Sequence, residues 1–266
     1  MGLRGHVRRF LLRGPRKERG VEGFTEVESG RCNMSTRVWH VMVLSAAMGA
    51  TSIVPFIGAP RCEEAKVVSL PQPRSDSGVS VEKTLLGRRS IRTFSNKPLT
   101  LGEVSQLLWA AQGITGKRGD RELRTAPSAG ALYGLETYLA AANVTGLAPG
   151  VYRYSPQGHT LTLLMTGDPR EVLSKAAFNQ SCIGEGAALI IFAGVYERVT
   201  KKYVERGIRF VHMEAGHAAQ NVYLQAEALG LGTVAVGSFT ESEVKKLLSL
   251  PDGEEPLYMM PVGKKQ

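Results

Sequence analysis

Residues 151–165 read VYRYSPQGHTLTLLM, a stretch in which two runs of β-branched, aromatic and aliphatic residues flank a turn. The flanking runs, 151–155 and 160–165, have the composition of strands. The SPQG tetrapeptide between them, residues 155–158, is rich in residue types that favour tight turns. The stretch therefore predicts an antiparallel hairpin, which does not belong in a regular parallel sheet built from strand–helix–strand units.

Strand patterns recur outside this hairpin and are interleaved with helical ones. Further strands are predicted at residues 137–144, 187–195, 233–238 and 257–263. Two capping boxes, Thr100–Glu103 and Thr240–Glu243, each predict the start of a helix, and the run from Phe210 to Leu229 predicts a long one. The sequence therefore predicts an α+β fold in which helices flank a mostly antiparallel sheet.

Composition and charge limit the classes of protein that the chain can represent. Its 266 residues are 43% hydrophobic and 21% charged, which is enough to bury a core. The net charge of +9 is uneven, because residues 1–37 hold nine Lys/Arg and four Asp/Glu. The rest is only mildly basic and carries no zinc-finger or aromatic RNA-binding signature, so no nucleic-acid partner is predicted. Three scattered cysteines predict neither a disulfide framework nor a metal site.

The N-terminal part of the sequence is expected to lie outside the folded domain. After the basic extension 1–37, residues 38–60 contain no charged side chain and are long enough to cross a bilayer. They predict an export signal or a membrane anchor, and so a place in the cell envelope. The alternative is a buried core helix in a cytoplasmic protein. Residues 61–80 are predicted to be a linker and 81–266 the folded domain. A true start at Met34 is a further hypothesis.

The octapeptide GRRSIRTF, residues 87–94, concentrates positive charge beside a hydroxyl group. Arg88 and Arg92 are four residues apart, so in a helical turn they would share a face with Arg89 and Ser90 beside them. Guanidinium groups bind phosphate oxygens in pairs, and a serine hydroxyl adds a donor. The segment therefore predicts a phosphate cradle. The alternative is a solvated basic surface turn.

Two glycine-rich segments, TAPSAGALYGLE at 125–136 and GLGTVAVGSF at 230–239, would let bare backbone approach a flat ligand. Neither has the spacing of a Walker loop or of a dinucleotide fingerprint. A glycine-lined slot together with a phosphate cradle suits an aromatic ring with a phosphate tail.

Three motifs together resemble the nitroreductase superfamily of flavoproteins: RRSIRTF (88–94), PSAGALYGLE (127–136) and AGHAAQNVYLQAEALGLGTVAVGSF (215–239). PSAGALY and KKYVERGIRF (201–210) are most similar to the SagB/ThcOx-type branch, which includes azoline dehydrogenases of peptide-tailoring systems. The resemblance implies a nitroreductase-like fold and a homodimer that binds FMN at its subunit interface.

The resemblance also assigns roles to individual residues. Arg88 and Ser90 would contact the phosphate or ribityl chain, and Arg92 would lie near the pyrimidine edge of the ring. The remaining residues implied to bind the cofactor are Arg89, Ser128, Ala129, Gly130, Val236, Gly237 and Lys264, with Lys265 a weaker candidate. Of these, Val236 and Gly237 match the loop whose backbone N–H faces flavin N5.

The pair Lys202–Tyr203 matches the acid–base residues of the azoline-dehydrogenase branch. Its alternative is two exposed residues at a helix start. Glu214 and His217 form an E-x-x-H pair without a second copy, so no metal site is predicted. The implied activity is NAD(P)H-driven reduction of a nitro, quinone or similar electron-poor small molecule. The alternatives are an azoline-oxidising dehydrogenase and a flavin-binding module without turnover.

Overall fold

A computed structural model describes residues 66–266 of the chain. The predicted basic extension (1–37), the predicted signal or anchor segment (38–60) and the hypothetical start at Met34 lie outside the described residues. From Lys66 to the C-terminus, no helix combines the length and the apolar character needed to cross a membrane.

The described residues form helices and strands in mixed order. The helices are α1 (Val81–Gly87), α2 (Leu101–Gln112), α3 (Arg170–Ala176), α4 (Ser181–Glu185), α5 (Tyr196–Tyr203), α6 (Arg206–Ala228) and α7 (Glu241–Leu247). The strands are β1 (Val67–Ser69), β2 (Leu99–Thr100), β3 (Ile114–Arg118), β4 (Arg121–Arg124), β5 (Leu135–Ala141), β6 (Val144–Thr145), β7 (Gly150–Ser155), β8 (Thr160–Thr166), β9 (Ala188–Gly194), β10 (Leu231–Thr233) and β11 (Glu255–Lys264). A short 3-10 turn spans Ala129–Ala131.

Seven strands form one sheet in the order β1-β8-β7-β5-β9-β11-β10. Every neighbouring pair in it is antiparallel. The hairpin predicted at 151–165 is confirmed, since Ser155 pairs with Thr160 where β7 turns into β8. The predicted α+β fold with a mostly antiparallel sheet is therefore confirmed. Two small ribbons, β2 with β6 and β3 with β4, lie outside this sheet.

Both faces of the sheet are covered, and β9 is buried along its whole length. Side chains alternate between the faces of a strand. Ile190 and Phe192 accordingly pack into the core that contains α2 and α6, whereas Leu189 and Ile191 pack into the core that contains α3, α4 and α7. The long helix α6 thus lies on one face of the sheet, where it also carries site residues.

Three predictions of local structure are corrected. The strand expected at 233–238 ends at Thr233, and Val236 makes only an isolated bridge to Met259. The capping box at Thr100–Glu103 forms, but Thr240 caps α7 without a side-chain hydrogen bond. The linker predicted at 61–80 is corrected within its described part, because Val67–Ser69 pairs with β8 as an edge strand. The folded unit therefore begins upstream of Val81.

Candidate active site

The arginine-rich segment follows directly on α1, which ends at Gly87. Arg88 has a non-helical backbone (φ −51°, ψ 122°) and no helix spans residues 88–94, so the expectation that Arg88 and Arg92 share a helical face is wrong. The segment runs beside β10, where the Ile91 N–H donates to the Thr233 carbonyl at 3.0 Å. Within residues 66–266, no carboxylate pairs with Arg88, Arg89 or Arg92. Their positive charges are therefore uncompensated by this part of the chain.

Two apolar side chains hold this segment against the sheet. A Cβ at Gly232 would lie 2.6 Å from Ile91 Cγ2, and one at Gly263 would lie 2.8 Å from Phe94 Cβ. Both distances are far inside van der Waals contact, so glycine is required for the segment to dock. Gly232 of the late glycine-rich run therefore serves protein packing, which differs from the predicted role of a slot for a flat ligand.

Tyr223 of α6 joins the arginine segment to the late glycine loop. The Arg88 guanidinium lies 5.2 Å from the centroid of its ring. Its hydroxyl oxygen accepts from the Ala235 N–H at 2.8 Å and lies 3.1 Å from Ser90 Oγ. The sequence pattern alone assigns Tyr223 no role in the site, because its position is equally typical of a core helix.

The two residues predicted to face flavin N5 differ in what they can donate. The Val236 N–H donates to the Met259 carbonyl at 2.9 Å. Gly237 is exposed, and its N–H has no hydrogen-bond partner among the residues that the structure describes. Gly237 is therefore the member of the pair whose backbone donor is available to a ligand.

The middle loop, residues 128–134, is tied at both ends by one carboxylate. Glu214 Oε2 on α6 accepts from Ser128 Oγ at 2.6 Å and from the Gly134 N–H at 3.3 Å. Ser128 Oγ in turn accepts from the Tyr133 N–H at 2.9 Å. Glu214 is only 2% exposed, and this burial raises the pKa of its carboxyl group. The E-x-x-H glutamate thus holds the loop, and no cluster of metal-binding side chains occurs in residues 66–266.

Gly130 brings this loop to the Lys202–Tyr203 pair. It has φ +65°, and a Cβ there would lie 2.8 Å from Tyr203 Oη and 3.2 Å from Lys202 Nζ. Lys202 and Tyr203 stand at the C-terminal end of α5, not at a helix start, and Tyr203 packs edge-on against Phe210. An ammonium and a phenol therefore lie together against bare backbone, and both are groups that can transfer protons.

The C-terminal lysines are already engaged by carboxylates. Lys264 forms an ion pair with Glu103 of α2, and Lys265 pairs with Glu227 of α6 at 2.7 Å. Partial burial works against ionisation of Glu103, but Lys264 and the Thr100 N–H together hold the pKa of its carboxyl group below the ordinary value. The predicted phosphate contact from Lys264 would have to displace Glu103.

The predicted residues thus form two clusters along α6. The phosphate cluster comprises Arg88, Arg89, Ser90 and Arg92 with Tyr223, and the acid–base cluster comprises Ser128–Gly130 with Lys202 and Tyr203. Their anchors on the helix, Tyr223 and Glu214, are nine residues apart, which is about 14 Å along the axis. The α+β fold thus places three guanidinium groups without carboxylate partners in residues 66–266, and the Lys202–Tyr203 pair, along one helix.

Comparison with known proteins gives the family. The nitroreductase family profile matches residues 85–264, so the chain belongs to the nitroreductase family and is by family an oxidoreductase. The Methanocaldococcus jannaschii protein MJ1384, whose name describes it as a putative nitroreductase, is 45% identical over 187 residues, which are 70% of this chain and 92% of that protein.

Two further relatives bear on the branch and on the cofactor. A chain of the Escherichia coli microcin synthetase McbBCD complex with truncated pro-MccB17 bound matches with a TM-score of 0.58 and 25% identity, over 82% of this chain and 85% of that one. The NADPH-flavin oxidoreductase of Vibrio harveyi is 26% identical over 189 residues, covering 68% of this chain and 64% of that protein. The nitroreductase-like fold is confirmed, and the microcin synthetase likeness agrees with the SagB/ThcOx-type branch.

Proposed function

We propose that this protein is an FMN-dependent oxidoreductase that uses NAD(P)H to reduce a nitro, quinone or similar electron-poor organic molecule. The observation that carries the proposal is the arginine segment at 88–92, whose three guanidinium groups lack carboxylate partners in residues 66–266. When bound, FMN supplies the two-electron chemistry between the nicotinamide donor and the acceptor.

The phosphate cluster would hold the phosphate end of the cofactor. A phosphate monoester carries nearly two negative charges and three acceptor oxygens. Arg88 and Ser90 are held side by side by Tyr223, so the donors are positioned before a ligand arrives. Arg89 and Arg92 add charge, and Arg92 would lie toward the ring.

The remaining predicted residues would orient the ring and handle protons. The free Gly237 N–H provides a fixed donor for negative charge that develops on the ring. Ser128, Ala129 and Gly130 present backbone to the ligand because Glu214 fixes the loop. Lys202 Nζ and Tyr203 Oη stand beside Gly130, where either group can give a proton to a reduced acceptor or take one from a donor.

The same pair supports a second candidate, oxidation of an azoline or similar peptide-derived donor. Such a reaction needs a base that removes a proton from the substrate, which the clustering of Lys202 and Tyr203 at Gly130 would provide. The likeness to a chain of the microcin synthetase complex favours this candidate, and the NADPH-flavin oxidoreductase relative favours the first.

A homodimer with FMN at its interface is part of the proposal. Leu85 and Leu86 on α1 are 53% and 78% exposed, and Ile208 and Met213 on α6 are 43% and 52% exposed. These side chains lie on the helices next to the two clusters, and a second copy would remove them from water. A cell-envelope location through residues 38–60 is also proposed.

The first test is the visible spectrum of the purified full chain, with identification of the released cofactor by chromatography. Bound FMN that loses its absorbance under anaerobic NADPH and regains it with a quinone supports the proposal. Replacing Arg88 with Ala should weaken FMN binding at least about tenfold, since each charge-assisted hydrogen bond contributes roughly 1.5–3 kcal/mol. A colourless protein that takes up no added FMN would refute it.

A double variant separates the two candidate directions. K202A/Y203F should leave FMN binding and quinone reduction largely unchanged if the pair serves azoline oxidation alone. If quinone or nitroarene reduction falls with FMN still bound, the pair donates protons to the acceptor. If FMN binds but no donor reduces it, the protein is a flavin-binding module without turnover.

A further inference from the structure

The β3–β4 hairpin carries an arrangement of charge that the proposed function does not use. Arg118 and Arg121 are directly opposite in its register, so their side chains leave the same face. Both are exposed, and like charges in this position repel. Within residues 66–266, neither arginine pairs with a carboxylate. The nearby Asp120, in the turn, and Glu122, which accepts from Gln157 Nε2 at 2.9 Å, form no ion pair with either arginine.

This hairpin reaches the acid–base cluster through one contact. Arg121 Nη1 donates to the Gly130 carbonyl at 3.2 Å. Gly130 is the residue whose bare backbone lies against Tyr203 Oη and Lys202 Nζ. A guanidinium, an ammonium and a phenol therefore converge on one residue. Lys202 also has no carboxylate partner in the described residues, whereas Lys201 beside it is paired with Glu197 at 2.9 Å.

We infer that the small organic substrate of this site is an anion, a carboxylate or sulfonate, and that Arg121, with Arg118 opposite it, binds the charged group. A guanidinium fork matches the two oxygens of such a group. An anion would relieve the repulsion between the two arginines and place the rest of the molecule beside Lys202 and Tyr203. The assignment of this anion as the substrate rests on the proposed function.

The proposed binding site for the substrate anion is separate from the phosphate cluster. The phosphate cluster contacts α6 at Tyr223, whereas the loop that Arg121 contacts is held by Glu214, about 14 Å away along the helix axis. The phosphate cluster and the Arg118–Arg121 pair can therefore bind two separate anionic groups, the first on the cofactor and the second on the substrate.

Equilibrium binding tests the inference without turnover. The full chain, saturated with FMN, is titrated calorimetrically with 4-nitrobenzoate and with its neutral methyl ester. The carboxylate should bind at least about tenfold more tightly, and R121A should abolish the preference. The matched control is K117A, which removes one positive charge from the opposite face of the same hairpin and should retain the preference.

Each outcome bears on the inference. The inference is overturned if the carboxylate and the ester bind equally, or if neither binds. It is also overturned if R121A and K117A lose the preference equally, because nonspecific attraction to positive charge would then explain the preference. The melting temperature of R121A should change little, because the variant removes a repulsive pair together with one exposed hydrogen bond to the Gly130 carbonyl. A falling melting temperature with no change in preference would indicate a structural role only.

Turnover distinguishes failure of the inference from failure of the proposed function. If FMN is reduced and both nitro compounds react with the same kcat/KM, the inference fails and the function stands. If no FMN binds but the carboxylate preference and its loss in R121A persist, the anion site stands and the function fails.

Discussion

At the scale of single residues, Glu214 has more influence on the site than its place in the sequence suggests. One of its oxygens accepts from both ends of the 128–134 loop, and the other is buried without a hydrogen-bond partner. Burial raises the pKa of the carboxyl group, although Ser128, the Gly134 N–H, Arg124 and His217 all favour the ionised form. The loop that faces Lys202 and Tyr203 thus depends on an acid that folding makes harder to ionise.

A pH-dependent stability is expected from this acid. Because its pKa is higher in the folded than in the unfolded chain, its contribution is fully present below the unfolded value and is lost as pH rises through the folded value. E214Q cannot ionise and keeps an acceptor for Ser128 and Gly134. The unfolding free energy of the wild type, minus that of E214Q, should therefore fall as pH rises from 4 toward 8. Urea unfolding across this range measures it, and a difference that does not vary with pH contradicts the argument.

E214A provides the control for the hydrogen bonds themselves. It leaves the Ser128 hydroxyl and the Gly134 N–H without their acceptor, which costs about 1–3 kcal/mol for each group that stays buried. E214A should therefore be less stable than E214Q at every pH.

At the scale of elements, the two capping boxes show what a sequence pattern does and does not establish. Thr100 and Glu103 cap α2 reciprocally, with hydrogen bonds of 2.8 Å and 3.2 Å between side chain and backbone. Thr240 has the same spacing to Glu243, yet its side chain makes no cap hydrogen bond. Glu103 is further fixed by Lys264. The pattern predicts where both helices begin, and tertiary contacts decide whether the reciprocal capping hydrogen bonds form.

The two threonines should therefore respond differently to truncation. T100A should cost about 1 kcal/mol of unfolding free energy, the usual effect of losing an N-cap side chain. T240A should cost less than half of that, because no cap hydrogen bond is lost. Chemical denaturation of both variants checks the comparison, and equal losses would show that Thr240 caps α7 in solution.

Prediction from sequence succeeded for strands whose own residue composition indicates a strand. The runs at 151–155, 160–165, 187–195 and 257–263 coincide with strands to within a few residues, because β-branched and aromatic residues suit a buried sheet. The run predicted at 137–144 is a strand only as far as Ala141, and Val144 belongs to the separate strand β6. The sequence does not predict the β3–β4 hairpin, because GKRGDRELR (116–124) has Leu123 as its single large apolar residue and shows no alternation. Strand β1 was missed because its pairing partner lies about 90 positions along the chain. Among site residues, the sequence does not identify Glu214 and Tyr223 as anchors of the site. The sequence pattern of α6 is the same whether the helix supports a site or only packs in a core.

At the scale of the whole molecule, α6 organises the site. It contacts the arginine segment through Tyr223, the middle loop through Glu214 and the acid–base pair through Phe210. Three sequence motifs that lie far apart in the chain therefore depend on one helix for their relative positions. Changes that loosen the packing of α6 on the sheet should affect FMN binding and the Lys202–Tyr203 geometry together.

The boundary of the folded unit gives the last prediction. Residues 61–80 are predicted to be a linker, but in the described part of it Leu70 is 6% exposed and its N–H donates to the His159 carbonyl at 3.1 Å. Ser105 donates to the Pro71 carbonyl at 2.5 Å, and Gln106 exchanges hydrogen bonds of 2.8 Å and 3.0 Å with the Arg74 backbone. Both of these α2 side chains are buried and would lose partners in a shorter chain.

A fragment of residues 81–266 should therefore be less stable than one of residues 66–266 by several kcal/mol. Burial of Leu70 contributes roughly 1.5–3 kcal/mol, and each orphaned polar group on α2 costs about 1–3 kcal/mol. This is a large share of the 5–15 kcal/mol typical of a domain. The shorter fragment also leaves β8 as an unprotected edge, so it should aggregate more readily. Urea midpoints of the two fragments, with light scattering, measure both effects. Equal midpoints would show that the domain does begin near Val81 and that β1 adds only a loosely held strand.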